Sequence, residues 1–581
     1  MSEFSLIHEP WIRVRLMNGD VNTVSLLDAF IHAHEYLGFA GEMVAQDVAI
    51  LRMMLAVLHR IFSQVDEVGQ VSLLEDEDDA LTRWETIWNM GCIPENPVRA
   101  YFDKWYDRFY LFDDEHPFYQ VPESVLNNMK SGGVTAGGDA ARLNGLLFKS
   151  GNKGKAKILA GRDFTDKLRL SYDEAARWLL FLQAYDDGSL KPQVTSGNDR
   201  PKIQVGYCGR LGLIAAHGDT LFETLMFNWT LLRDGKDLWD YYSDSESVSI
   251  LSGVPCWELD EPRTTELMAL SLPSSPVAHL TIQPRRIVLL RDDGGVYGYR
   301  YVAGDCVSVE NAFVEQMTLW HTSKSKKDTV GTWLPDVYNL LNKSAWRSLG
   351  SIISANDDKV KQPGVVLWLK RLQGDVDCDD IILDENRLIQ FDVIATEYGS
   401  SNCSIKTMNV SSVSFNSLLL SDVQKDIREC ILTEIEKCNK TVSCLRLFAQ
   451  QLEMCKRRGT DSDFIAMKDE IEALFYAELD RMFPIWLSSL SVNDRDSVNL
   501  SCQAFRANVG KFALKLADQY VRDCGLQAML GRVIENAKSN KKQNFNSVNA
   551  YLYFRNMLYK EGILVRNTLD DKVDEKVGEK K

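Results

Sequence analysis

The sequence predicts an α+β protein: a large mixed N-terminal domain of β-hairpins and helices over residues 1–415, then a C-terminal antiparallel four-helix bundle over 416–566, closed by a disordered charged tail over 567–581. Three observations predict it. Before residue 415, short alternating runs bounded by Gly, Asn and Asp turns recur between helical stretches. From residue 420 onward, apolar residues return at spacings of three and four almost without interruption. The closing LDDKVDEKVGEKK carries too little apolar surface to offset the entropy of ordering it.

The elements follow in order. Trp11-Ile12-Arg13-Val14-Arg15 alternates and Asn18-Gly19-Asp20 supplies a turn, which predicts a hairpin. Residues 45–63 form a helix with Val48, Leu51, Leu55, Leu58 and Phe62 on one face, and a second helix over 78–91 aligns Leu81, Trp84 and Trp88. The aromatic run from Tyr101 to Tyr119 reads as a core layer; His116 among its acids is a catalytic alternative without an accompanying nucleophile. Ser171-Tyr172-Asp173-Glu174 is a capping box opening a helix to Tyr185, which Asp186-Asp187-Gly188-Ser189 ends. Asp219 is expected to cap a further helix. Strands are expected at 287–290, 296–302 and 387–398, and helix over 320–350. In the C-terminal part Val423, Ile427, Ile431, Ile435, Cys438, Val442 and Leu445 mark the first of four helices; the others cover 463–490, 498–522 and 544–562.

Composition excludes several classes. The chain of 581 residues is long enough for roughly three to four domains. Its longest apolar runs are far shorter than the roughly 20 residues a spanning helix needs, and the N-terminus has no secretory pattern, so a cytoplasmic location is expected. The twelve cysteines include no C-x-x-C pair and read as small buried thiols. A net charge of -16 excludes a protein that coats nucleic acid with its whole surface, but not a local basic strip, because charges beyond a Debye length of about 8 Å are screened.

One stretch departs from that acidic background. Between Lys130 and Leu170 nine basic residues face three acids, with Gly at 132, 133, 137, 138, 145, 151, 154 and 161. Lysines neutralise phosphates and glycines let main-chain N–H groups approach them; a plain surface loop is the alternative. The stretch has no G-x-x-x-x-G-K-[ST], so a nucleotide P-loop is not supported. A second polar loop runs from Gly188 to Gly209.

The order of these pieces carries a resemblance. Glu9-Pro10-Trp11-Ile12-Arg13-Val14 resembles the N-terminal signature of the large subunit of the type I-E CRISPR Cascade complex, the CasA family. Tyr110-Leu111-Phe112-Asp113 to His116-Pro117-Phe118-Tyr119-Gln120 looks like that family's aromatic segment. Gly209-Arg210-Leu211-Gly212-Leu213-Ile214 to Gly218-Asp219-Thr220-Leu221-Phe222-Glu223 looks like its glycine-bearing strand into a helix, and the closing helices look like its C-terminal domain. The resemblance covers nearly the whole chain. It implies a non-catalytic subunit of a crRNA-guided complex that recognises the protospacer-adjacent motif in double-stranded DNA, helps open the duplex and recruits a helicase-nuclease.

It also assigns residues. Asn144, Leu147, Phe148 and Lys149, with Lys153, Lys155 and Lys157, fall where the family contacts the crRNA handle. Gly188 and Ser189, with Lys191, match the loop that enters the minor groove, where a width of about 6 Å leaves little room for a side chain; a plain helix C-cap is the alternative. Gly399, Ser400, Ser401, Asn402 and Cys403 match the hairpin wedge that separates the first base pair, or else form an ordinary turn. Asn402 stands where the family often has Gln. Lys324, Lys326 and Lys327 do not align with the family's major-groove lysine, and without its cysteine pairs no zinc or other cofactor is expected. Two other readings compete. A metal-dependent nuclease would need clustered ligands, and the eight histidines are scattered. A helical scaffold binding only protein would leave the basic stretch unexplained.

Overall fold

The structure is a computed structural model. It describes residues 3–127, 136–139, 169–189, 204–233, 236–237, 254–260, 269–270, 275–323, 332–354, 356–357, 359–374, 383–384, 387–402, 405–456, 465–535 and 542–565. The chain separates into two compact units, one of residues 1–384 with 388–413 and one of residues 385–387 with 414–581.

The first unit mixes small sheets with helices. β1 (Ile12–Leu16) and β2 (Val21–Val24) form the expected antiparallel hairpin, and β3 (Tyr36–Phe39) pairs with the other edge of β1. α1 (Val44–Phe62) is buried on almost every side rather than along one face. It packs against four other helices, described below, so its burial is not confined to one face. α2 (Glu77–Met90) starts at Asp76, whose side chain accepts from the Asp79 N–H, and ends at Gly91 with φ 69°. α3 (Glu95–Lys104) leads into the aromatic layer. Phe102 meets Phe109 at 5.2 Å, and Phe109 stacks on Phe118 at 5.2 Å and meets Trp257 at 5.4 Å. His116 lies in a turn closed by the Asp113 carboxylate, which accepts its N–H at 2.8 Å.

β4 (Ala136–Asp139) corrects part of the loop expected between 130 and 162: Gly137 and Gly138 pair with Arg300 and Tyr299. Ala-Gly-Gly-Asp has weak strand propensity, so only the partner edge explains it. α4 (Tyr172–Tyr185) has the predicted capping box and packs on α1. β5 (Leu213–His217) leads to α5 (Leu221–Asn228), which also packs on α1. The cap of α5 is Thr220, accepting from the Glu223 N–H at 3.2 Å, not Asp219 as expected. The short helix Pro276–Leu280 packs on α1 as well, and so does α3.

β6 (Arg285–Asp292) and β7 (Gly295–Ala303) form the expected hairpin, with β4 added to the far edge of β7. Helix was expected throughout 320–350, but its first part is strand: β8 (Trp320–Ser323) pairs antiparallel with β9 (Thr332–Pro335). Trp-His-Thr-Ser is a half-buried pattern that three-four spacing misreads over so short a run. β10 (Leu388–Tyr398) is the middle strand between β5 and β11 (Ile405–Asn416). Across this unit, Arg52 of α1 and Glu315 make a buried bidentate pair at 2.8 and 2.9 Å.

The first unit also holds α6 (Gly364–Leu372), whose Trp368 meets Trp84 of α2 at 6.0 Å. In the second unit, α7 (Lys425–Lys456) packs against α8 (Ile465–Ser488), α9 (Arg495–Asp523) and α10 (Ser547–Lys560). Ring pairs join them: Trp486 stacks on Phe505 at 4.4 Å, Phe475 on Phe512 at 5.6 Å, and Phe448 lies 5.3 Å from Phe554. Val423, expected on the buried face, is 71% exposed in a 3-10 turn before α7. The stretch is also not wholly helical, because a hairpin of Arg532–Glu535 and Lys542–Phe545 precedes α10. Among the described residues no helix is long and apolar enough to cross a membrane.

Candidate nucleic-acid interface

The site starts at the end of α4. Asp186 leaves the helix with φ -54° and ψ 147°, an extended conformation, so the chain departs without a left-handed glycine. Gly188 is therefore not a helix C-cap, and its value lies in close approach. Its N–H donates to the Asn402 carbonyl at 2.7 Å. A Cβ added there would lie 3.0 Å from the Asn402 Cβ and 3.4 Å from Val205 Cγ1. The two segments given separate roles by resemblance thus lie against each other.

The hairpin tip is built by left-handed backbone. Between β10 and β11 the chain makes a 3-10 turn over Ser400–Asn402, with φ 55° at Ser401 and 54° at Asn402. Asn accepts this conformation more readily than most residues with a side chain. The Asn402 N–H donates to the Gly399 carbonyl at 2.9 Å, and its own carbonyl is taken by Gly188. Ser400, Ser401 and Asn402 are exposed. Position 402 thus needs a residue suited to positive φ, and Asn is one.

The base of the hairpin is pinned to the same helix end. The Tyr398 hydroxyl donates to the Tyr185 carbonyl, 213 residues away in sequence, at 2.8 Å. That carbonyl is among the last of α4, which has no partner inside the helix. Gly209 makes room for the ring: a Cβ there would overlap the Tyr398 hydroxyl and lie 2.8 Å from Cζ.

The charges beside Gly188 are turned inward. Asp186 and Asp187 are 1% and 2% exposed. Arg285, at the start of β6, donates from Nε to Asp186 Oδ2 at 2.6 Å and from Nη2 to the carbonyls of Asp187 at 2.7 Å and Gln204 at 2.9 Å. The Asp187 carboxylate accepts the Ser189 N–H at 2.9 Å and also its hydroxyl. Sequence reasoning missed Arg285, and it gave Tyr398 and Gly209 no part in holding the loop to the hairpin. The signal for the first was present: two adjacent arginines enter an apolar strand, and two adjacent aspartates end a helix.

Lys191 and Cys403 lie outside the described residues, as do Asn144, Leu147, Phe148, Lys149, Lys153, Lys155, Lys157 and the lysines at 324, 326 and 327. Among the described residues no three His, Cys, Asp or Glu side chains are grouped to hold a metal ion. Seven of the described cysteines are buried; burial pushes the Cys208 thiol up to about 11.

A mixed α+β unit joined to a unit of long packed helices, with a glycine loop bonded to a hairpin tip, defines the class. The family model for CRISPR-associated protein Cse1 matches residues 5–516, and the chain belongs to that family. A curated relative, CRISPR-associated protein CasA/Cse1 of Thermus thermophilus, is 31% identical over 233 residues; the match spans 39% of this chain and 40% of that protein's length. The fold is shared with Cse1 of Thermobifida fusca (TM-score 0.75, 23% identity, 97% of this chain and 99% of that one). It is shared also with Cse1 of Acidimicrobium ferrooxidans (TM-score 0.73, 23% identity, 97% and 98%). A chain of a solved CRISPR RNA-guided surveillance complex matches with TM-score 0.63 at 15% identity, over 96% of this chain and all of that one.

Proposed function

We propose that this chain is the non-catalytic large subunit of a cytoplasmic, crRNA-guided surveillance complex of the Cascade type. In this reading it recognises the protospacer-adjacent motif in double-stranded DNA, promotes R-loop formation and recruits a helicase-nuclease. Residues 1–415 carry the reading loops and 416–566 form an antiparallel four-helix bundle; the tail expected over 567–581 lies outside the described residues. The observation that carries the reading is the hydrogen bond from Gly188 to Asn402, which joins a side-chain-free backbone to an exposed amide on one edge.

The pairing suits the chemistry. A narrow groove admits bare backbone at Gly188, while the Asn402 amide can bond a base edge. Because the Gly188 N–H is already engaged, the readout falls to backbone shape and to Asn402 rather than to that donor. Exchange of a DNA duplex for an RNA–DNA duplex is nearly balanced, so a few such contacts tip it. The lysines at 149, 153, 155 and 157 would contact the crRNA.

The test is target binding by the reconstituted complex at physiological salt. Gly188→Asp and Asn402→Ala are expected to weaken binding of motif-bearing duplex; unchanged binding by both would overturn the site assignment. Normal target binding by a complex carrying Lys149/Lys153/Lys155/Lys157→Glu would favour a scaffold that binds only protein.

A further inference from the structure

We infer that Arg285 is the positioning residue of this edge, setting where Gly188 and, through it, Asn402 are presented; the inference rests on the reading above. One buried guanidinium holds both arms of the loop. Before the glycine it takes the Asp186 carboxylate at 2.6 Å and the Asp187 carbonyl at 2.7 Å; beyond the loop it takes the Gln204 carbonyl at 2.9 Å. Its side chain is 2% exposed and that of Asp186 1%.

Arg285 is itself fixed. Its backbone N–H donates to Gln183 Oε1 at 3.1 Å, and its carbonyl accepts from Gln183 Nε2 at 2.9 Å. The loop's return arm is tied to the same point, because the Gly206 N–H donates to the Asp186 carbonyl at 2.8 Å. From Asp187 the chain has one residue to Gly188, whose N–H meets Asn402 at 2.7 Å. The path from β6 to the hairpin tip therefore runs through Arg285, Asp187, Gly188 and Asn402, each step a hydrogen bond or a peptide link.

Lysine cannot replace this geometry. An ammonium can stay near Asp186, but it lacks the planar fork that spans two carbonyls and a carboxylate from one side chain. In the reconstituted complex, Arg285→Lys is measured for affinity to a motif-bearing duplex, to the same duplex with a scrambled motif, and to a pre-opened target. 2-Aminopurine at the first base pair reports opening. The expected result is a fall of about tenfold in the motif-to-scrambled ratio, the scale of one lost charge-assisted hydrogen bond, with pre-opened target bound as by wild type. A purely structural role would lower all three affinities together.

If Arg285→Lys does not assemble, Arg285→Met with Asp186→Leu removes both charges and strands neither. A folded variant that keeps the ratio while Gly188→Asp loses it overturns the role of Arg285 alone. If Gly188→Asp keeps the ratio too, the site reading itself falls. If neither Arg285 variant assembles, the guanidinium supports the fold at large, and the loop-specific role is overturned.

Discussion

Gly209 and Tyr398 are expected to be energetically coupled. In Gly209→Ala the new methyl meets the Tyr398 ring, 2.8 Å from Cζ and 3.0 Å from Cε2, and overlaps its hydroxyl. The ring must swing away, which breaks the 2.8 Å bond to the Tyr185 carbonyl. Overpacking costs about 1–3 kcal/mol. An unpaired helix-end carbonyl costs about 1–3 kcal/mol. Loss of unfolded-state freedom returns about 0.4–1 kcal/mol. The net destabilisation is about 1–6 kcal/mol. Tyr398→Phe leaves the same carbonyl unpaired without the overlap and should cost about 1–3 kcal/mol.

The double variant loses that bond once, not twice, and no longer contains the hydroxyl that the methyl overlaps. It should therefore be more stable than the sum of the single changes by about 1 kcal/mol or more, well beyond the 0.3–0.5 kcal/mol within which independent sites add. Native-state hydrogen exchange of amides in 172–189 and 388–402 is the suitable assay, since it reads local opening without assuming one transition for a chain of two units. Additive effects, or a Gly209→Ala protein as protected as wild type, would refute the reasoning. The functional consequence is specific: freeing the base of the hairpin should weaken motif-dependent opening before it weakens assembly.

Gly188→Ala places a methyl 3.0 Å from the Asn402 Cβ; stability should change by less than about 1 kcal/mol, while the amide resonances of residues 399–402 shift. At Asn402, with φ 54°, Gly should be tolerated by the fold and Val should cost about 1–3 kcal/mol, read by the same exchange measurement. Arg52→Met strands the buried Glu315 carboxylate, which also accepts from His279 at 2.9 Å, and should cost about 3–5 kcal/mol in thermal unfolding; replacing both charges by apolar residues should cost less. Burial lowers His59 from 6.5 to about 3, so the folded state resists a proton that the unfolded state takes. Its contribution is complete above pH 6.5 and falls by up to about 1.4 kcal/mol per unit as pH drops toward 3; unfolding at pH 7.5 and 5.0 should differ less in His59→Gln.

Much of the fold was legible because it follows local rules. The Ser171 capping box, the hairpins at Asn18-Gly19 and Asp293-Gly294, and the long periodicity of 425–456 are each set by residues near one another. What was missed depends on partners distant in sequence. β4 exists because β7 offers an edge to a glycine pair, and α1 is buried on almost every side because four helices reach it. At the site, the glycine and the hairpin tip could each be named from resemblance. Their contact could not, since no spacing rule connects 188 with 402. The resemblance expects Gln at Asn402, whereas the backbone angle there supplies a separate reason for Asn.

A net charge of -16 poses a problem for the proposed reading, and the buried aspartates answer it. Two carboxylates stand next to Gly188 in sequence. An exposed carboxylate a few ångströms from a phosphate would repel it by about 1 kcal/mol even in bulk water and by more at a protein surface. Here neither is exposed: Asp186 is matched by Arg285, and Asp187 is occupied by Ser189. The same arginine that fixes the loop thus also cancels the charge that would push DNA from it. On the same hairpin Glu397 is paired with Lys406 at 2.6 Å, and acids farther away than about 8 Å are screened. The acidity of the chain as a whole is therefore compatible with reading DNA at this edge, provided that the local charges stay paired. It follows that Arg285→Met alone should be worse than the neutral Arg285→Met, Asp186→Leu pair, and that this gap should narrow as salt is raised, because the unpaired Asp186 adds repulsion that salt screens.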